Sequence, residues 1–249
     1  MIVLKSQEEI EKIEHACLIV ARTLEAIKKL VQPGLTTLEI EDFADDFIKL
    51  HGGLPAFKGY RGYPASICTS VNNEVIHGIP SKRVLKEGDI IGIDLGVYKN
   101  GFYGDGAVTV PVGKIEPDLQ KLIKVTEEAL YKGIENARLG NRVSDISHSI
   151  QEHVESQGFS VVRSFVGHGI GRQLHEEPQI PNFGPPGRGP RLMEGMTLAI
   201  ETMVNAGVYD IHILEDGWTA VTADGKPSAH FEHTIVITLN GPRILTKIN

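Results

Sequence analysis

The chain has 249 residues, 41% hydrophobic and 23% charged, with a net charge of −7. That balance suits one large domain or two tightly joined halves, and with no basic cluster it argues against nucleic acid as the main ligand. Two cysteines make no disulfide framework, no apolar run approaches a membrane span, and residues 1–5 are too short for a signal peptide, so a reducing cytoplasm is expected.

Ser6 with Glu9 forms a capping box that opens a first helix. Its apolar stripe runs Ile10, Ile13, Cys17, Val20, Leu24, Ile27 and Val31 in steps of three and four, so Cys17 reads as packing, and Pro33-Gly34 stops it. Thr36 with Glu39 starts a second helix, closed by Gly52-Gly53. Residues 60–80 read as strands and loops, and 84–112 as a hairpin. Pro117 opens a third helix to about residue 138, and a fourth spans about 143–158. Strands are expected at 159–167, 196–205, 207–215 and 229–239. The order helix-helix-strands occurs twice, which favours α+β, with antiparallel strands in one layer and helices in the other.

The hairpin carries the first chemical signal. Asn100-Gly101 between two β-prone runs demands a type I′ turn, because both central residues take φ > 0. With that turn at the tip, Lys99 pairs with Phe102, Gly96 with Asp105 and Asp94 with Ala107. Asp94 and Asp105 then share one face as diagonal neighbours, roughly 7–8 Å apart. They are either two solvated acids or two ligands of one cation.

An internal echo bears on that choice. Leu85-Lys86-Glu87-Gly88-Asp89-Ile90-Ile91-Gly92-Ile93-Asp94 recurs as Leu192-Met193-Glu194-Gly195-Met196-Thr197-Leu198-Ala199-Ile200-Glu201, placing Glu201 where Asp94 stood. Gly34, Ile40, Ile48 and Gly52 align in the same way with Gly140, Ile146, Val154 and Gly158. The period is too long and the copies too few for a solenoid. One catalytic domain of two related halves, about 1–112 and 113–249, is expected.

Further donors lie beside apolar runs. Gly167-His168-Gly169-Ile170-Gly171 follows a β-prone stretch, its glycines allowing close approach. His175-Glu176-Glu177-Pro178 comes next; with Gln179 where a second His would be needed, it is no zincin helix. Glu232 precedes Thr234-Ile235-Val236-Ile237 and would be costly there if buried unpaired. Asp94, Asp105, His168, Glu201 and Glu232 together suit a pair of divalent ions, and no cysteine joins them.

These motifs match a known family. The chain resembles the type I methionine aminopeptidases, which have the pita-bread fold, over essentially its whole length. The resemblance is carried by Gly59-Tyr60, Gly62-Tyr63-Pro64, Cys68, Asn72, His77-Gly78-Ile79-Pro80, Ile93-Asp94, Gly101-Phe102-Tyr103-Gly104-Asp105, the His168 and His175 motifs, Ile200-Glu201 and His230-Phe231-Glu232-His233-Thr234. It implies removal of the N-terminal methionine from nascent chains when the second residue is small. Asp105 and Glu232 would bridge two metals (Co, Mn, Fe, Ni or Zn), Asp94 would chelate one, and His168 with Glu201 would complete the other. The nucleophile would be a metal-activated water, with Glu201 as general base. His77 and His175 would contact the substrate amide and the intermediate; without the resemblance they read as a loop and a surface histidine. Tyr60, Tyr63, Cys68 and Trp218 fall on the methionine pocket, and Leu174 stands where the family often has Phe. Transient ribosome contact and a monomer are also implied.

Only 33 positions separate His168 from Glu201, which leaves no room for the helical insertion of the second class. Three readings compete. A proline-specific aminopeptidase of the same fold would usually carry an extra N-terminal domain. A non-catalytic module would have lost ligands. A dinucleotide-binding enzyme is opposed by the failed G-x-G-x-x-G spacing at Gly167, Gly169 and Gly171.

Overall fold

The computed structural model describes residues 1–248. Among the described residues four α-helices form, α1 (Gln7–Leu30), α2 (Thr37–Leu50), α3 (Pro117–Asn136) and α4 (Val143–Ser156). Their starts follow local chemistry. Ser6 Oγ accepts from the Glu9 amide at 3.3 Å while Glu9 Oε2 accepts from the Ser6 amide at 2.9 Å. Thr36 and Glu39 repeat that exchange at α2, and Pro117 occupies the first turn of α3, where its missing N–H costs nothing.

The strands are β1 (Leu54–Pro55), β2 (Cys68–Val71), β3 (Glu74–Ile76), β4 (Ile90–Lys99), β5 (Phe102–Pro111), β6 (Ser160–Val161), β7 (Val166–Gly169), β8 (Glu176–Pro181), β9 (Thr197–Asn205), β10 (Ile211–Ile213), β11 (Ala220–Thr222), β12 (Ser228–Thr238) and β13 (Gly241–Ile244). The main sheet has the order β1-β4-β5-β12-β9-β7-β8, with β2 on β4, β6 on β9 and β13 on β12; β10, β11 and β3 form a second sheet. All paired strands are antiparallel, as the α+β reading expected. Helix α1 packs on β4 and β5, and α3 on β9 and β12.

The hairpin has the expected register, Lys99 opposite Phe102, Gly96 opposite Asp105 and Asp94 opposite Ala107, with Asn100 at φ 53° and Gly101 at φ 85°. One face of it is bare for a reason. A Cβ on Gly104 would lie 2.7 Å from the Cys17 backbone nitrogen, so glycine lets α1 settle directly on β5. Cys17 is buried there among Ile10, Ile13 and Phe102, as its place on the stripe implied.

Two expected strands are shorter than their apolar runs. The 159–167 stretch breaks at Arg163-Ser164 into β6 and β7. The 207–215 stretch reduces to β10, because the Val208 amide is taken by Asp224 Oδ2 and its carbonyl by Asn205 Nδ2, which bends the chain before pairing can begin.

Candidate metal centre

Strand register alone brings five side chains to one face. Asp94 on β4 opposes Ala107 on β5, Ala107 opposes Glu232 on β12, and Glu232 opposes Glu201 on β9. Directly opposed residues share a face, and so do residues two apart on one strand. Asp105 therefore joins through Ala107. His168 on β7 opposes Ala199, two residues before Glu201, and joins as well. Five consecutive strands each contribute one donor.

Distances agree with that derivation. Donor atoms of Asp105, His168 and Glu232 lie within 4.8 Å of one another. His168 Nε2 stands 3.9 Å from Asp105 Oδ2 and 3.8 Å from Glu201 Oε1. His168 Nδ1 lies 2.9 Å from the Gly169 carbonyl oxygen, a bond it can make only as donor. That assigns the proton to Nδ1 and leaves the Nε2 lone pair facing the carboxylates, the tautomer a metal requires.

The electrostatics are those of a cluster without a counter-charge. Burial pushes the Asp94 carboxyl up to about 7. Burial first, then the charges of Asp94 and Glu201, hold Asp105 well above the usual carboxylate range. Burial and Asp94 do the same to Glu201, and burial with the other three acids does so to Glu232. Among the described residues, no Lys or Arg nitrogen comes within 4.0 Å of these four carboxylates. Asp94 Oδ1 and Glu232 Oε1 are buried with no hydrogen-bond partner. Burial lowers His168 to about 4, so its imidazole is neutral. Four acids, Asp105 and Glu232 buried and Asp94 and Glu201 nearly so, two of them with an orphaned oxygen, and one neutral imidazole fit divalent cations; an oxygen-rich set does not select one metal.

The same face floors a cavity of about 130 Å³. Every residue singled out from the sequence lines it: the five donors, His77, His175, Tyr60, Tyr63, Cys68, Leu174 and Trp218. Cys68 opposes Asp94 in the β2–β4 pairing, which joins the apolar end to the acidic end. Tyr63 is locked by its hydroxyl, which donates to the Gly78 carbonyl at 2.9 Å, and meets Trp218 edge-on at 5.1 Å. Leu174 is buried with Ile170 and Ala199, and Phe57, Tyr60 and Tyr103 pack against them. His175 stacks on Tyr60 and its Nδ1 lies 2.8 Å from the tyrosine hydroxyl. His77 holds φ 60° and packs edge-on to Phe165. Burial lowers His77 to about 4 and His175 to about 3.

Two further residues escaped sequence reading, and a third, His230, stood within a motif with no role assigned. Phe57 and Arg61 complete the cavity wall. Gly96 was the signal for Phe57: it lies on the donor face, and a Cβ there would meet Phe57 Cε1 at 2.7 Å. His230, two residues before Glu232 and so on the same face, is buried with Nε2 unpartnered and 3.9 Å from Glu201 Oε2. The glycines around His168 allow close approach, as expected, and it is backbone that they admit. A Cβ on Gly167 would lie 2.6 Å from the Ala199 carbonyl oxygen, and one on Gly169 would lie 2.2 Å from that of Glu177, so they let β7 nest between its neighbours.

Comparison with known proteins agrees with this geometry. Residues 11–239 match the model of metallopeptidase family M24. The chain is similar to a methionine aminopeptidase of Clostridium perfringens, 57% identical over 248 residues that cover 100% of both chains. It superposes on the crystal structure of the methionine aminopeptidase of Thermotoga maritima with a TM-score of 0.98 at 51% identity, again over 100% of both. A prolidase of Pyrococcus horikoshii shares the fold, with a TM-score of 0.81 at 24% identity, covering 99% of this chain and 64% of that one.

Proposed function

Because the chain belongs to metallopeptidase family M24, we propose that its carboxylate–imidazole centre removes methionine from the amino terminus of peptides whose second residue is small. The fold is the pita-bread fold of that family, and the activity is that of a metal-dependent aminopeptidase. The observation that carries the reading is the junction of two environments in one small cavity. An apolar end formed by Tyr63, Cys68, Leu174 and Trp218 meets a floor of four acids. A thioether side chain suits the first, and an adjacent peptide bond then lies over the second.

Asp94, Asp105, His168, Glu201 and Glu232 would hold two divalent ions (Co, Mn, Fe, Ni or Zn). Bound there, such ions lower the pKa of a water toward roughly 7 and stabilise negative charge on the substrate carbonyl oxygen. The chain's own residues supply the rest. The apolar wall seats the methionine side chain, and Asp94, across the strand pair from Cys68, faces its amino group. Glu201 is the general base: it takes a proton as water oxygen bonds to the carbonyl carbon. It returns that proton to the departing amine nitrogen as the C–N bond breaks. His77 and His175 are neutral at pH 7 and contact the substrate amide and carbonyl as uncharged hydrogen-bonding groups. Tyr60 orients His175 through the 2.8 Å hydroxyl contact.

The chain acts as one catalytic domain of two halves, about 1–112 and 113–249. In support, α1-α2-β4-β5 and α3-α4-β9-β12 follow the same order and place Asp94 and Glu201 alike. The substrates are nascent-chain N-termini, met by a monomer in transient contact with the ribosome in the cytoplasm. Among the described residues no helix is long and apolar enough to cross a membrane, and Cys17 and Cys68 are unpaired. The test is methionine release from Met-Ala-Ser and Met-Leu-Ser by metal-loaded protein.

A further inference from the structure

We propose that Lys5 is a positioning residue for His175, acting through a buried ion pair with Glu176. The role rests on methionine removal as proposed above. Lys5 Nζ donates to Glu176 Oε2 at 2.6 Å and to the Val3 carbonyl at 2.9 Å, and the two charged side chains are only 2% and 12% exposed. The Lys5 amide donates to the Gly195 carbonyl at 2.8 Å, and the Gly195 amide to that of Ile237 at 3.0 Å. The N-terminal segment is thereby fastened beside β9 and β12, the strands that carry Glu201 and Glu232.

His175 needs such an anchor. The β7–β8 ladder ends at the Gly169–Glu176 pair. The Ile170 amide still donates to the Thr197 carbonyl at 3.1 Å and the Gly171 carbonyl accepts from the Tyr103 amide at 2.8 Å, but residues 172–175 loop off the ladder and no strand partner fixes the His175 backbone. Glu176 is the first paired residue after that loop, directly following His175. Its two oxygens do separate jobs: Oε1 accepts the Gln173 amide at 3.1 Å and holds the loop, while Oε2 accepts Lys5. Gly171 leaves room for this arrangement, since a Cβ there would lie 2.3 Å from Lys5 Cε. Glu176 faces Lys5 while His175 lines the cavity, its ring 4.2 Å from that of His168. Without the ammonium, a buried carboxylate is left unpaired and must find solvent. Its movement takes the Gln173 contact, and the loop bearing His175, with it.

The test is a double-mutant cycle on the full-length metal-loaded protein, with kcat and KM for Met-Ala-Ser, bound-metal content and Tm measured for wild type, Lys5→Met, His175→Ala and the double variant. Lys5→Met is expected to lower kcat about ten-fold at nearly unchanged KM and metal content, and to have no further effect once His175 is Ala, because residues acting as a unit are not additive. A merely structural role would lower activity equally in both backgrounds. Glu176→Gln, which keeps an acceptor for Gln173, gives the same cycle if Lys5→Met does not fold. Additive losses, or an unchanged kcat in a folded variant, overturn the positioning role alone. A wild-type protein that carries metal yet releases no methionine overturns the function and this role with it.

Discussion

Glu232 stands directly opposite Glu201 in the β12–β9 pairing, both carboxylates on the same sheet face, Glu232 buried and the Glu201 side chain only 13% exposed. Like charges directly opposed across strands are destabilising, more so where water is excluded. The strand order that makes this site is therefore unfavourable for the metal-free protein and becomes favourable with cations between the acids. Divalent metal is expected to raise Tm, by about 2.7 kcal/mol of stability at a hundred-fold excess over Kd. Glu232→Gln is expected to raise the Tm of the metal-free protein, roughly 2–4 °C per kcal/mol of relieved repulsion, and to abolish the metal-dependent rise. Calorimetry with and without metal checks both; a Glu232→Gln protein less stable than wild type when metal-free would contradict the repulsion.

Metal affinity should rise with pH. Asp94 has a folded pKa of about 7 against an ordinary 3.8, so the metal-free protein holds a proton there at pH 6. The sign for stability follows: this group favours the metal-free fold below about pH 4, and that contribution is lost as pH climbs through 7. A cation must displace the proton, so binding at pH 6 releases protons and weakens as pH falls. His168, held at about 4, is neutral across this range and adds no competing proton. Titration calorimetry at pH 6 in two buffers of different ionisation enthalpy reads the release directly. Equal heats in the two buffers, with affinity flat from pH 5.5 to 7.5, would remove the basis of this account.

His77→Ala and His175→Ala are expected to keep full metal content and to lose turnover, by about 10²-fold or more each. Asp105→Ala should lose both metal and activity, since Asp105 lies within the tightest donor group. Elemental analysis beside kinetics separates the two classes. A His175→Ala protein that loses its metal, or an Asp105→Ala protein with full metal and normal turnover, would reassign those residues.

The donor face and the hydrophobic pocket meet at Gly96. Gly96→Ala places a Cβ 2.7 Å from Phe57 Cε1 and should push that ring into the cavity. The expected outcome is a higher KM for methionyl peptides with metal content unchanged, and a loss of about 1–3 kcal/mol in stability from overpacking. An unaltered KM would show that Phe57 lies outside the substrate's path.

Local chemistry was legible in the sequence wherever neighbours in the chain are neighbours in space. The capping boxes at Ser6 and Thr36 and the Asn100-Gly101 turn needed only short-range rules, and the turn alone put Asp94 beside Asp105. The repeated cassette placed Glu201 on a strand matching that of Asp94. What stayed hidden was the β5–β12 pairing, which inserts Glu232 between the two halves and joins positions more than a hundred residues apart. Phe57 and Arg61 lie in an irregular segment with no periodicity to mark them. The pairing of Lys5 with Glu176 joins positions 171 apart, and nothing nearby in the chain announces it.

The central claim is that one cavity joins a methionine pocket to a two-metal hydrolytic centre. It is tested most directly by mass-spectrometric assay of free methionine from Met-Ala-Ser and Met-Leu-Ser, after loading metal-free protein with Mn or Co. Release from Met-Ala-Ser alone is the expected result. No release from either peptide, with two metals bound per chain, would contradict it; cleavage of an X-Pro dipeptide would then point to the proline-specific relatives that share the fold.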